Sequence, residues 1–222
     1  DGLRLYTSYG WEIPKGIISV DDLVAQRSYF YMIGYKDSHF LVRFSTDSSN
    51  KFVYDRMINL EDDGQLNYSN ITNIQDNIFV FSSTSGALGI YKYDTELNFI
   101  SSTTLPLSSH LADVTNGGTN IYGCSHIGEI GKISSETLEI MGNTINSEGC
   151  KRIIYNNGEI YVLTSSQNSD IYVYNSDYLN LIIRSTASTS DMSYENFEVI
   201  NSTVVAFRTG WIGNEWNIII TT

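Results

Sequence analysis

Residues 159–188 read EIYVLTSSQNSDIYVYNSDYLNLIIRSTAS. Two apolar runs, Ile160-Tyr161-Val162-Leu163 and Ile171-Tyr172-Val173-Tyr174, flank a polar cluster, and a third run, Leu181-Ile182-Ile183, follows Asn175-Ser176-Asp177. β-Branched and aromatic side chains suit a pleated, half-buried surface. Ser, Asn and Asp bond into turns through their own side chains. The stretch therefore predicts three short strands joined by two turns.

The pattern recurs along the chain. Ile160-Tyr161-Val162-Leu163 has counterparts in Ile78-Phe79-Val80-Phe81, Ile121-Tyr122-Gly123-Cys124, Val204-Val205-Ala206-Phe207 and, more loosely, Phe30-Tyr31-Met32-Ile33. The run at Ile171 is matched by runs at Leu41, Ile90, Ile130 and Trp216. A strand precedes each pair, over residues 17–26, 69–75, 111–116, 151–156 and 196–200, and another follows at 51–59, 98–105, 139–145 and 180–187. Four strands per repeat at a period of roughly 40 to 45 residues is the period of propeller blades. A solenoid is the main rival, but its repeats are usually shorter.

The fifth repeat reaches Thr222 after its third strand. Asp1-Gly2-Leu3-Arg4-Leu5-Tyr6 matches Asp177-Tyr178-Leu179-Asn180-Leu181-Ile182 in character, position by position. The expectation is an all-β, five-bladed β-propeller of four-stranded antiparallel blades. It forms one domain over residues 1–222, with blades at about 17–60, 66–106, 110–146, 150–188 and 194–222. Residues 1–8 supply the fourth strand of the last blade. Such a strand removes the bare edge of an unclosed ring. The I-Y-V…I-Y-V-Y pattern of residues 160–176 resembles the generic repeat of extracellular propellers of the YVTN and NHL kind, a resemblance that carries fold but no particular activity. The Gly-His…Trp-Asp signature of WD40 repeats and the kelch double glycine are missing.

The chain has 222 residues, 41% hydrophobic and 17% charged, with 16 Tyr and nine Phe, which is ample material for a β core. Its formal net charge of −12 repels phosphates, and no Lys/Arg cluster offsets it, so nucleic acid is not an expected partner. No apolar run approaches the roughly 20 residues of a membrane helix. No signal segment precedes Asp1, so the expected location, extracellular or on a cell or virion surface, would make this a mature form. Cys124 and Cys150 fit one disulfide or two buried thiols. Asn67, Asn70 and Asn201 sit in N-x-S/T sequons. There is no CxxC, HExxH or D-x-D-x-D loop, so no zinc site and no cofactor is expected. A calcium-type cation in the central funnel stays open as an unsupported option.

Loops joining fourth to first strands, and second to third strands, should open on one face. The first set, at 9–14, 61–65, 106–110, 146–149 and 189–195, carries or adjoins Glu12, Asp62, Asp113, Glu148, Asp191 and Glu195. These carboxylates admit three readings: oxygen ligands for a hard cation, the acid and base of a glycosidase, or ordinary solvated loop acids. Trp11 and Trp211 are expected on that face as well, Trp211 in the loop from Arg208 to Glu215. Flat rings flanked by Asn, Glu and Tyr suit a sugar or peptide, or else cover the core. Ser109, His110 and Asp113 lie close in sequence, but no G-x-S-x-G elbow accompanies them.

The leading expectation is a non-enzymatic extracellular binding or assembly module: a surface structural subunit, an adhesion unit, or a receptor for glycan or protein. Self-assembly would follow if residues 1–8 completed a neighbouring copy. Two alternatives remain, a glycoside hydrolase, lyase or metal-dependent lactonase using funnel carboxylates, and an intracellular protein-interaction platform.

Overall fold

The computed structural model describes residues 16–22, 27–36, 38–48, 52–60, 67–84, 87–105, 111–146, 148–165, 170–185, 196–200, 203–212 and 215–221. Every regular element among them is a strand. The first sheet contains β1 (Gly16–Asp22), β2 (Arg27–Lys36), β3 (Ser38–Thr46) and β4 (Phe52–Asn59), in sequence order. The second contains β5 (Asn67–Ile74), β6 (Asn77–Thr84), β7 (Ala87–Asp94) and β8 (Phe99–Leu105). β9 (Leu111–Asn116), β10 (Asn120–Ser125), β11 (Glu129–Ser134) and β12 (Ile140–Ile145) form the third, and β13 (Arg152–Asn156), β14 (Glu159–Leu163), β15 (Ile171–Asn175) and β16 (Leu181–Ser185) the fourth. The fifth has three described strands, β17 (Asn196–Ile200), β18 (Thr203–Ile212) and β19 (Glu215–Thr221). The chain divides into two compact units, one built on the first two sheets and one on the last three. Residues 1–8, the expected closing strand, lie outside the described residues.

Sheets buried on both faces explain why apolar residues run together instead of alternating with polar ones. In β14, Ile160 and Val162 pack with Tyr122, Cys124, Ile130 and Ile153. Tyr161 and Leu163 point the other way, into a cluster with Ile171, Val173 and Phe197. In the first unit, Tyr29, Tyr31 and Ile33 of β2 join Ile78, Val80 and Tyr93, while Met32 packs with Phe40, Val42 and Phe44 on the opposite face. Burying one such side chain contributes about 1.5–3 kcal/mol, so these second strands hold the sheets face to face.

The hairpins from third to fourth strands share an unusual device. Leu97, Leu138 and Leu179 have φ of 61°, 61° and 55°, the left-handed region normally left to Gly or Asn. All three are buried. Each closes its turn by donating its N–H to the end of the preceding strand: Leu97 to Asp94 O, Leu138 to Ser134 O and Leu179 to Asn175 O, at 2.9–3.0 Å. The conformation costs about 1–2 kcal/mol per residue. Burial of the Leu side chain offsets that cost, so the hairpin is fastened to the core from its tip.

A β-bulge follows in three of the outer strands. Asp55, Met141 and Ile182 are skipped in the pairings β3–β4, β11–β12 and β15–β16. Bulges bend and twist an edge, which discourages edge-to-edge pairing.

Contacts between neighbouring sheets also repeat. Tyr31 donates its hydroxyl to Thr95 O at 2.9 Å, and Tyr122 donates to Ser176 O at 3.0 Å. In both cases a second-strand tyrosine pins the outer hairpin of the next sheet. Arg43 strengthens the first pin with hydrogen bonds to Thr95 O, Glu96 and Asp55, and its guanidinium lies 4.6 Å from the Tyr29 ring centre. Lys132 bonds Asp177 O at 3.4 Å beside the second pin.

Candidate functional site

Asp113 and Glu148 are the two expected funnel acids within the described residues, and both are engaged. Asp113 stands on β9, and its Oδ2 accepts the backbone N–H of Ile153 on β13 at 3.0 Å. Two residues on, Thr115 Oγ1 accepts the N–H of Tyr155 at 3.2 Å. Side chains of one first strand thus satisfy backbone donors along the edge of the next, which among the described residues pairs with no strand on that side. Burial pushes the Asp113 carboxyl above the usual carboxylate range, against the Ile153 hydrogen bond and the nearby Arg152 charge. Arg152 itself pairs with Glu198 on β17 at 2.9 Å.

Glu148 lies in the β12–β13 loop, where the Asn146 side chain accepts its N–H at 2.9 Å. Its Oε1 takes a hydrogen bond from Arg184 Nη2 at 2.5 Å. The same guanidinium bonds Asp170 Oδ2 through Nη2 and Nε, at 2.7 and 3.1 Å, and lies 5.2 Å from the Tyr172 ring centre. A fourth-to-first loop and the end of a second-to-third loop therefore converge on one arginine from an outer strand. Burial, then the Glu148 carboxylate, raises the Tyr172 hydroxyl to about 12. The cluster carries its own cation. Among the described residues, no three His, Cys, Asp or Glu side chains gather as a metal site would require.

The other expected residues divide as follows. Trp11, Glu12, Asp62, His110, Asp191, Glu195 and Asn201 lie outside the described residues. Trp211 was expected in a loop. Instead β18 continues to Ile212, and Trp211 stands directly across from Trp216 in the β18–β19 ladder. The longer ladder absorbs the polar Arg208-Thr209 pair and leaves only residues 213–214 as the connection. Asn67 and Asn70 lie in β5, with Asn70 half-buried. Cys124 and Cys150 form a disulfide, with Cα atoms 5.9 Å apart, inside the cluster built around Ile160 and Val162.

Sequence reasoning missed Arg184 and Asp170, because Arg184 joins Asp170 and Glu148 across 14 and 36 residues of sequence. It also missed a cavity in the first unit, of about 250 Å3, where Tyr91, Tyr93 and Phe99 gather. The signal was present as Tyr91-Lys92-Tyr93, but alternating tyrosines also read as core.

No protein-family model matches the sequence, and no curated protein matches it. Solved structures do. The chain is similar to Sqt1 of Saccharomyces cerevisiae, with a TM-score of 0.63 and 12% identity over 87% of this chain and 56% of that one. The WD40 domain of Neurospora crassa Pan2 gives 0.61 and 9% over 87% and 55%, and BamB of Moraxella catarrhalis 0.55 and 16% over 80% and 52%. The chain spans just over half the length of these three. Likeness at such identities carries the fold alone. With its repeated antiparallel four-stranded sheets, this chain is a β-propeller repeat protein.

Proposed function

We propose that the chain is a non-enzymatic extracellular binding or assembly module on a five-bladed propeller, whose last blade is completed by residues 1–8. The engagement of Asp113 and Glu148 is the observation that carries the first half. A glycosidase needs one carboxyl free to donate a proton and a second free to attack or activate water. Here one carboxylate caps a backbone N–H and the other is held by Arg184. Propeller-fold neighbours suggest a protein-interaction module, and folds of this kind place recognition on their surfaces and loops. The Cys124–Cys150 bond favours an oxidising compartment over an intracellular platform.

The anchored leucines support the second half. Leu3 falls on the position of Leu179, the buried left-handed residue of the fourth sheet. Among the described residues β19 has one partner strand, β18. Residues 1–8 of the same copy would add the second, and residues 1–8 of a neighbour would do so by strand addition and yield a head-to-tail assembly.

Incubating the full chain with chromogenic glycosides and lactones tests the module against the enzyme. The expected rate equals that of Asp113→Asn and Glu148→Gln. Turnover that either substitution abolishes would sink the reading.

A further inference from the structure

The cavity of the first unit has none of the expected site residues on its walls. It is bounded by Ile58 and Asn59 at the end of β4, Tyr91 and Tyr93 on β7, and Phe99 and Ser102 on β8. Leu97, the left-handed residue of the β7–β8 hairpin, also lines it and belongs to the buried cluster that includes Tyr93. The Tyr93 and Phe99 rings meet edge to face, with centres 5.9 Å apart and planes at 72°. Phe99 is 59% exposed, so a large apolar ring stands in water beside a concave wall. Asn59 and Ser102 are exposed on the same rim.

We propose that this cavity binds a neutral sugar ring of a glycan. The inference rests on the binding-module reading and names the class of ligand. Three properties select it. First, pockets for drug-sized ligands measure about 300–1,000 Å3, so a cavity of about 250 Å3 suits one ring rather than an extended molecule. Second, a pyranose has an apolar C–H face and an equatorial belt of hydroxyls. Aromatic rings cover the first, while a carboxamide and hydroxyls such as those of Asn59 and Ser102 satisfy the second. Third, no charged residue is among the described walls, and the chain carries a formal charge of −12. A cationic ligand would find ring faces but no carboxylate among the described walls, and an anionic glycan would be repelled by the molecule as a whole.

Aromatic-ring NMR signals of the full chain, followed while glucose, galactose, N-acetylglucosamine and their β-1,4-linked trisaccharides are added, test the proposal. N-acetylphenylalanine amide serves as a stand-in for a protein side chain. The expected result is saturable movement of the Phe99, Tyr91 and Tyr93 signals with at least one sugar. Phe99→Ala and Asn59→Ala should each weaken it about tenfold, the loss expected for one stacked ring or one well-placed hydrogen bond. Both side chains are exposed, and an unchanged melting temperature would confirm that the variants fold. Three outcomes overturn the proposal: response to the amide but to no sugar, response to neither, or sugar shifts that survive both substitutions. None of these outcomes bears on the turnover assay above, so the ligand class and the module reading fail separately.

Discussion

Asp113 accepts the backbone N–H of Ile153 across the gap between two first strands, at 3.0 Å. A carboxylate that the sequence left open between cation ligand, glycosidase acid and solvated loop acid here completes the hydrogen bonding of a strand edge. Asp113→Ala leaves the Ile153 donor without its partner and should cost about 1–3 kcal/mol in denaturant unfolding. Asp113→Asn keeps an acceptor oxygen and should cost less.

The same pair predicts a pH dependence. Burial raises the Asp113 pKa in the folded state. Between the ordinary carboxylate value and this raised one, the folded chain holds more protons than the unfolded chain. Stability contributed by this group therefore falls as pH rises through that interval. Melting curves of wild type and Asp113→Asn, taken upward from about pH 4, should shift in favour of the variant. A gap between the two that does not change with pH would contradict the assignment.

Leu179 gives an inverted substitution order. In most buried sites Gly is worse than Ala. At φ 55° the order should reverse, because Ala keeps the left-handed cost and Gly does not. Leu179→Ala should destabilise by about 2–5 kcal/mol. Leu179→Gly should be about 1 kcal/mol milder, by the same unfolding measurement.

The Cys124–Cys150 bond closes a loop with a sequence separation of 26. Loop-closure entropy for that length is worth about 3.5 kcal/mol. Both sulfurs belong to fully buried residues. Reductant should act slowly on the folded chain and, once denaturation admits it, lower the unfolding free energy by that amount. A Cys124→Ala, Cys150→Ala chain should match the reduced protein.

Arg43 tests how much the clamp between the first two sheets contributes. Its side chain is 7% exposed, whereas Asp55 and Glu96 are 37% and 57% exposed. Removing the arginine leaves two carboxylates that water can reach, so the cost should fall below the 3–5 kcal/mol of a fully buried broken pair. Arg43→Ala should cost about 1–3 kcal/mol, from lost hydrogen bonds and the lost Tyr29 contact. Thermal unfolding of the variant measures it.

Strands that bury both faces were legible, because Ile160-Tyr161-Val162-Leu163 and its relatives are short, β-branched and aromatic, and bounded by turn residues. Hairpin tips were half legible. Asn175, Ser176 and Asp177 announced the turn, but Leu179 did not, since leucine signals core and not a left-handed residue. The bulges at Asp55, Met141 and Ile182 left no mark, because one extra residue in an exposed strand changes no apolar pattern. Arg43 and Arg184 were invisible as clamps, as their partners are set by how the sheets stack. The cavity near Phe99 was hidden for the same reason: Ile58 and Phe99 come to line one cavity through packing, not spacing.

The central proposal is that residues 1–8 complete the last blade, and amide hydrogen exchange along β19 tests it most directly. In the full chain, successive β19 amides should all be slow, half protected by β18 and half by residues 1–8. A chain beginning at Tyr9, or the full chain with Leu3→Asp, should expose every second β19 amide while β13–β16 keep their protection. The difference should persist on dilution if one copy closes itself, and fade if neighbours exchange the strand. Exchange along β19 that is the same with and without residues 1–8 would contradict the claim.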